Sequence, residues 1–341
     1  MRFRLESAQQ HPNAGFDVPR HLALPFPFSS QREGEVPRAG LNAAFLGSAY
    51  DPVWTEFQGR ATDSIFKKLN TNEKTVWDPY MGITPDSRLT IAAATELPAE
   101  LSIDRLNRRR SLLDQFDDAR RLVDASKSAQ GYDRYRQMAY SMIGSSKVRE
   151  ALDVSRESAA MRESYGMTLF GQSSLAARRM VEAGSKFVTV VWDEYGLAGM
   201  GWDTHWNHYE RMRRELMPGF DKALFGLISD LDTRGMLDET LVLVLSEHGR
   251  TPKMNSASGG GRDHWSKVYS VLLAGGGVKR GNIVGASDKI GGEVADRPIS
   301  PKDILATAYH LLGINPEQTL LDRTNRPIRV VEADIVPEIL A

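Results

Sequence analysis

Apolar residues recur at helical spacing from Leu101 onward, where Leu106, Leu112, Leu113, Phe116 and Leu122 lie among many charges. That pattern predicts a long amphipathic helix, and the Arg108-Arg-Arg110 run inside it reads as a solvated helix face. Two further helical stretches are predicted at about 134–163 and 171–184, the second ending at Gly184 as a C-cap would. Phe187-Val-Thr-Val-Val-Trp192 then reads as a buried strand. A helix over about 208–235 carries Leu216, Phe220, Leu224, Leu227, Ile228 and Leu231 on one face. After it, Leu241-Val-Leu-Val-Leu-Ser246 is apolar on both sides, as expected of a central parallel strand covered by helices on both faces. Residues 268–274 form a third predicted strand, closed by Gly275-Gly-Gly277. Ser300-Pro301-Lys-Asp303 is an N-cap with Pro at the first helical position and an acid in the first turn, opening a helix to about Leu312.

The order strand, helix, strand, strand, helix makes the second half an α/β layered fold. Residues 1 to about 100 differ: Pro, Gly, Asn and Ser interrupt short apolar pieces such as Leu22-Ala-Leu-Pro-Phe-Pro-Phe28. This composition predicts a loop-rich cap with few strands. The expected organisation is a cap over 1–100 and an α/β domain over 101–341. The latter divides into a helical insertion (101–185) and a half bearing the candidate site (186–341), with a single domain throughout as the alternative.

Charge and composition narrow the function. Lys plus Arg number 43 against 44 for Asp plus Glu, so no positive excess exists to hold a polyanion by counterion release, and nucleic acid is not an expected partner. The apolar runs stop far short of the roughly 20 residues a bilayer-spanning helix needs. There is no cysteine, which excludes disulfides, thiolate zinc sites and Cys nucleophiles. Any metal must then be held by His and carboxylates. Met1-Arg-Phe-Arg-Leu-Glu-Ser leads into Gln9, Gln10, His11 and Pro12, with no apolar core segment, so it does not read as a signal peptide.

Of seven histidines, four lie between 205 and 264, in or beside loops near the ends of predicted strands. In open α/β sheets ligands bind at the carboxyl ends of strands. Three segments carry the candidates: Gly201-Trp-Asp-Thr-His205, Ser246-Glu-His-Gly-Arg-Thr-Pro252 and Gly261-Arg-Asp-His-Trp265. Asp203 and His205 alternate on an extended segment, so one carboxylate oxygen and one imidazole nitrogen can face the same cation. Glu247 and His248 follow the most apolar strand, and Gly249 permits a sharp turn beneath a ligand. His264 supplies a third segment. Taken singly, each of these reads as an ordinary polar loop residue; the set together reads as a divalent-metal site. Carboxylate with imidazole suits zinc, manganese or iron, whereas an all-oxygen set suits magnesium or calcium. Arg250 and Arg262 are the candidate catalytic cations, able to fork onto two oxygens of a phosphate or sulfate, or else to form a structural salt bridge with Asp263. His208 reads as a surface residue, and Trp202 and Trp265 as packing walls.

These segments resemble family 1501 of domains of unknown function, sulfatase-like proteins placed in the alkaline phosphatase superfamily. The resemblance also covers Ala44-Phe-Leu-Gly-Ser-Ala-Tyr-Asp-Pro52, Ala151-Leu-Asp-Val-Ser-Arg-Glu157, Arg162-Glu-Ser-Tyr-Gly166 and Ala176-Ala-Arg-Arg-Met-Val-Glu-Ala-Gly184, from about Leu22 to the end. It implies a three-layer, mainly parallel, doubly wound sheet with a two-metal site. One metal would take Asp203, His205 and His264, and the other Glu247 and His248. The sequence departs from the superfamily pattern at two points. Asp203-Thr-His205 is tighter than Asp-x-x-x-His, which would point to Asn207, and many relatives carry an aromatic residue where His248 stands. The resemblance also implies an export signal and a first strand ending in an Asp and a Ser or Thr, neither of which appears in this sequence. The expectation is a chain that starts after that portion, with an incomplete second metal shell and an open central sheet edge, from a protein exported at full length.

The leading expectation is a metal-dependent hydrolase of phosphate or sulfate esters. It would act on a small-molecule or polysaccharide ester with a divalent metal, zinc first and manganese, calcium or magnesium as alternatives. The rival is a non-catalytic protein stapled by one metal. A zinc peptidase is disfavoured because no His-Glu-x-x-His helix is present.

Overall fold

His21–Leu24 (β1) is a run whose Leu22, Ala23 and Leu24 are fully buried, and it fills the interior of the largest sheet. On one side it pairs in parallel with Val53–Gln58 (β3), Leu22 opposite Val53; on the other it pairs in parallel with Phe187–Val190 (β7), Leu22 opposite Val188. Arg88–Ile91 (β6) completes the order β6-β3-β1-β7 by pairing antiparallel to β3. This is a computed structural model, and it describes residues 18–36, 38, 40–43, 50–69, 71–91, 146–198, 201–322 and 324–341. The predicted helix beginning at Leu101, its Arg108-Arg-Arg110 run, the expected boundary near residue 100, His11 and the N-terminal Met1-Arg-Phe-Arg stretch lie outside the described residues.

The expectation of few strands before residue 100 is corrected. Besides β1, β3 and β6 the region holds Arg32–Glu33 (β2), Ser64–Leu69 (β4) and Asn72–Trp77 (β5), the last two paired antiparallel along their whole length. Alternation in β4 was masked by Lys67, which occupies an inward position. Its side chain is fully buried because its ammonium meets the Asp78 carboxylate at 2.8 Å and the Tyr195 carbonyl. A buried charge is tolerated only when paired in this way.

Among the described residues of the predicted 134–163 helix, two short helices stand instead of one: Ser146–Leu152 (α1) and Ala159–Tyr165 (α2), separated by a 3-10 turn at Val154–Arg156. Asp153 and Ser158 each accept a backbone N–H at the start of the following element, so the chain restarts twice. Leu169–Glu182 (α3) follows, capped by the Thr168 hydroxyl; Gly184 sits at φ +111°, in the region glycine favours. Its Leu169, Leu175, Ala176 and Met180 are fully buried and the helix packs on β7. A parallel pair, Arg32 with Gly196 and Glu33 with Leu197, joins β2 to Gly196–Leu197 (β8).

The chain divides into two compact units, Met1–Gln10 with Gly199–Ala341, and His11–Ala198. In the unit built from Gly199–Ala341, His208–Arg211 (α4) runs through a π-helical turn at Met212–Leu216 into Met217–Thr233 (α5), close to the predicted 208–235. Val242–Val244 (β9) lies inside the predicted strand. Among the described residues it pairs antiparallel with Leu272–Ala274 (β12), and its three residues are half-buried. The expected central parallel strand is thereby corrected: an all-apolar run signals two covered faces but carries no information on pairing direction. Pro301–Leu311 (α6) opens with the predicted cap, realised as a reciprocal capping box between Ser300 and Asp303. Its Ile304 packs with Val336 and Ile339. The architecture is mixed α/β, with mostly small sheets and several helices.

Candidate metal centre

The site is assembled from residues 201–208, ahead of and into α4, and from a loop between Gly249–Arg250 (β10) and His264–Trp265 (β11). The two strands pair antiparallel with Arg250 opposite His264 and Gly249 opposite Trp265. The Gly249 Cα face lies against the Val268 carbonyl, which an added Cβ would approach to 2.0 Å; close approach, not a sharp turn, requires glycine there. Backbone bonds lace the loop to the 201–208 segment: Arg262 N–H to Thr204 O (3.0 Å), His208 N–H to Gly260 O (2.8 Å) and Asn207 N–H to Ser258 O (2.9 Å). Gly261 passes so near this segment that a Cβ would lie 1.8 Å from the His205 carbonyl oxygen. Gly261→Ala is therefore expected to force His205 out of position, costing about 2 kcal/mol in stability and at least a tenfold loss in divalent-cation affinity. Urea unfolding and titration of the same sample with divalent cations check it; unchanged affinity would show that the close approach does not set His205.

Thr204 is buried, with its Oγ 2.7 Å from His208 Nδ1, and the Thr204 and His205 N–H groups donate to the carbonyls of Trp202 and Asp203, folding the segment into tight turns. The flanking Asp203 and His205 side chains are partly exposed. His205 Nε2 lies 3.0 Å from Asp203 Oδ1, His264 Nε2 lies 3.0 Å from the same oxygen, and the two Nε2 atoms are 3.1 Å apart. These three residues form a group able to hold a metal ion, their donor atoms within 4.8 Å of one another.

Behind the donors, His205 Nδ1 lies 2.9 Å from Asp263 Oδ1. An ionised carboxylate only accepts, so Nδ1 donates to Asp263, and a cation seated at Nε2 would meet that nitrogen's lone pair. Asp263 is itself held by the Asn255 amide at 3.0 Å, while the Asn255 carbonyl accepts from Ala257 and Gly261 N–H. A carboxylate or amide oxygen fixing the far nitrogen of a ligating histidine is the usual outer partner of a metal site. The donor set fits a divalent cation. A single proton on His264 Nε2 could satisfy one acceptor at a time, whereas a cation satisfies all three, and atoms sharing a shell of ~2 Å bonds stand roughly 3 Å apart.

Charges around the donors reinforce this. Burial raises the Asp203 carboxyl, but hydrogen bonds from Arg250 and His264 and the positive charges of Arg250 and His205 more than offset it, so its pKa falls below the ordinary carboxylate value. The hydrogen bond from His205, then that from Asn255, lowers Asp263. Burial, followed by the charges of Arg262, Arg250 and Arg211, lowers His208 and favours its neutral form.

The other expected residues stand as follows. Arg250 donates to Asp203 Oδ1 at 2.6 Å and is mostly buried. Arg262 donates to the carbonyls of Thr251 (2.6 Å) and Pro252 (2.9 Å) and to the Tyr209 hydroxyl (2.9 Å), so it braces the loop; neither arginine takes the suggested bridge to Asp263. The His248 ring lies 4.2 Å from that of His264, centroid to centroid, and its Nε2 is 3.4 Å from Glu247 Oε1. Glu247 is exposed, and the acid–imidazole pair adjoins the three donors without entering their cluster. His208 is half-buried on Thr204, not a free surface residue. Trp202 packs edge-on against Phe220, and Trp265 donates its indole N–H to Gly292 O. Asp263 and Asn255 are the contributors that sequence reasoning passed over. The signal for the first was an acid next to His264, read there as an arginine partner.

Among the described residues no helix is long and apolar enough to cross a membrane. No curated protein and no solved structure matches the chain. A family model does match, from residue 6 to residue 340, and its description is "Protein of unknown function (DUF1501)". With that match spanning nearly the whole sequence and including every residue of the centre just described, the chain belongs to the DUF1501 family.

Proposed function

We propose that the protein is a metal-dependent hydrolase of phosphate or sulfate esters of the alkaline phosphatase and sulfatase kind. The observation that carries this reading is the triangle of Asp203 Oδ1, His205 Nε2 and His264 Nε2, each about 3 Å from the others, with Asp263 fixing the tautomer of His205. Zinc is the ion that one carboxylate and two imidazoles suit best. When bound it would polarise the ester oxygen and lower the pKa of an attacking hydroxyl or water. Asp203, His205 and His264 would hold it, and Arg250, beside Asp203, would grip the ester's remaining oxygens. Glu247 and His248 would serve a second cation. The two parallel pairings of β1 support a doubly wound, three-layer arrangement of alkaline-phosphatase type, and a small-molecule or polysaccharide ester is the substrate class in view.

The rival reading, a structural staple, predicts a closed shell of four protein ligands. Here the side chains of Asp203, His205 and His264 are 32%, 41% and 53% exposed, which favours a centre that meets substrate. The test is metal analysis of the purified full chain combined with turnover of nitrophenyl phosphate and nitrophenyl sulfate. Bound zinc and hydrolysis that a chelator abolishes and zinc restores are expected. Tightly bound zinc with neither ester turned over would favour the staple, and failure to retain any divalent metal would end the proposal.

A further inference from the structure

Asp203 Oδ1 is shared: it lies 3.0 Å from both imidazole Nε2 atoms and also accepts from Arg250 Nη2 at 2.6 Å. Arg250 is held here on a short paired strand, mostly buried, with its Nη1 donating to the Arg262 carbonyl at 3.3 Å. A guanidinium never loses its charge near neutral pH. A divalent cation seated among the three donors would therefore compete with Arg250 for one oxygen and be repelled by it across a short, partly desolvated gap.

We propose that Arg250 couples the two ligands of this centre, weakening the cation's hold on Asp203 until an oxyanion lies across cation and guanidinium together. The anion turns the repulsive pair into two attractive ones, so each ligand tightens the other by the same factor. This rests on the metal-hydrolase reading and deepens it: Arg250, besides gripping the anion, makes metal retention depend on a phosphate- or sulfate-type group.

Isothermal titration of the full chain with zinc, with and without inorganic phosphate, tests the coupling in the wild type, Arg250→Gln and Arg250→Lys. The wild type is expected to bind zinc on the order of tenfold more tightly with phosphate present. Arg250→Gln should bind zinc alone several-fold more tightly than wild type, and phosphate should then make almost no difference. Arg250→Lys keeps the charge but loses the two-pronged grip, so its zinc affinity should stay near that of wild type while the phosphate effect shrinks. If Arg250→Gln binds zinc more weakly, or keeps the full phosphate effect, Arg250 only buttresses Asp203 and the coupling is refuted. Absence of zinc binding in the wild type would instead remove the metal reading itself. Circular dichroism of each variant separates these results from misfolding.

Discussion

His264→Ala is expected to lower zinc affinity on the order of a hundredfold or more and, with it, to abolish the proposed ester hydrolysis. Structural zinc sites of four ligands bind with roughly 10–16 kcal/mol, near 3 kcal/mol per ligand, and here one ligand is lost outright. The fold should survive, because His264 is an exposed side chain whose contacts are the two other donors and the His248 ring. The diagnostic value lies in the ranking. Asp263→Ala removes only the partner of His205 Nδ1, so its loss should be smaller, about 10- to 100-fold. Glu247→Ala removes an exposed carboxylate outside the cluster and should leave zinc affinity at the three donors almost unchanged. Competition titration against a chromophoric chelator measures all three. Equal losses for His264→Ala and Glu247→Ala would mean that the ion sits somewhere other than among Asp203, His205 and His264.

The centre was half legible before any coordinates. Asp203 and His205 could be paired because side chains two apart on an extended segment share a side; the structure brings them together through tight backbone turns instead, with Thr204 buried between them. His264 is 61 residues from Asp203. No local rule joins them; only the crowding of histidines near strand ends and the strings around them did so. Asp263 was misassigned. Its neighbour Arg262 suggested an ion pair, yet each found a partner from another segment.

The fold divides along the same line. α3 and α6 were legible because helical period and caps are written within a few residues, as in the Ser300 and Asp303 box. β1 was not, since a four-residue strand closed in by Pro19 and Pro25 gives no period to read. The hairpin of β4 and β5 was hidden by Lys67, whose burial depends on Asp78, a residue outside both strands. Pairing direction in β9 was equally out of reach: apolar character reports burial, and the antiparallel choice was made by a partner 30 residues on.

Glu157→Ala is expected to destabilise the unit His11–Ala198 by about 3 kcal/mol, the cost of removing one member of a largely buried ion cluster. Glu157 Oε1 accepts from Arg178 at 2.9 Å and also from Arg179, while Arg178 is fully buried and reaches Glu182 at 2.8 Å. The cluster ties α3 to the turn between α1 and α2, and the substitution removes the carboxylate that the two neighbouring guanidinium groups share. Burial raises the Glu157 carboxyl, but the hydrogen bonds from Arg178 and Arg179 and their charges outweigh it, so its folded pKa lies below the ordinary 4.5. The stabilisation is thus fully present above pH 4.5 and is lost as pH falls through the lowered folded value. Urea unfolding should give a constant gap between wild type and Glu157→Ala from about pH 7 to pH 5, closing toward pH 3. Hydrogen exchange over Leu169–Glu182 should show the loss concentrated in α3. A gap that persists undiminished at pH 3 would show that Glu157 acts through packing alone, and that the charge of Arg178 is balanced by Glu182 without it.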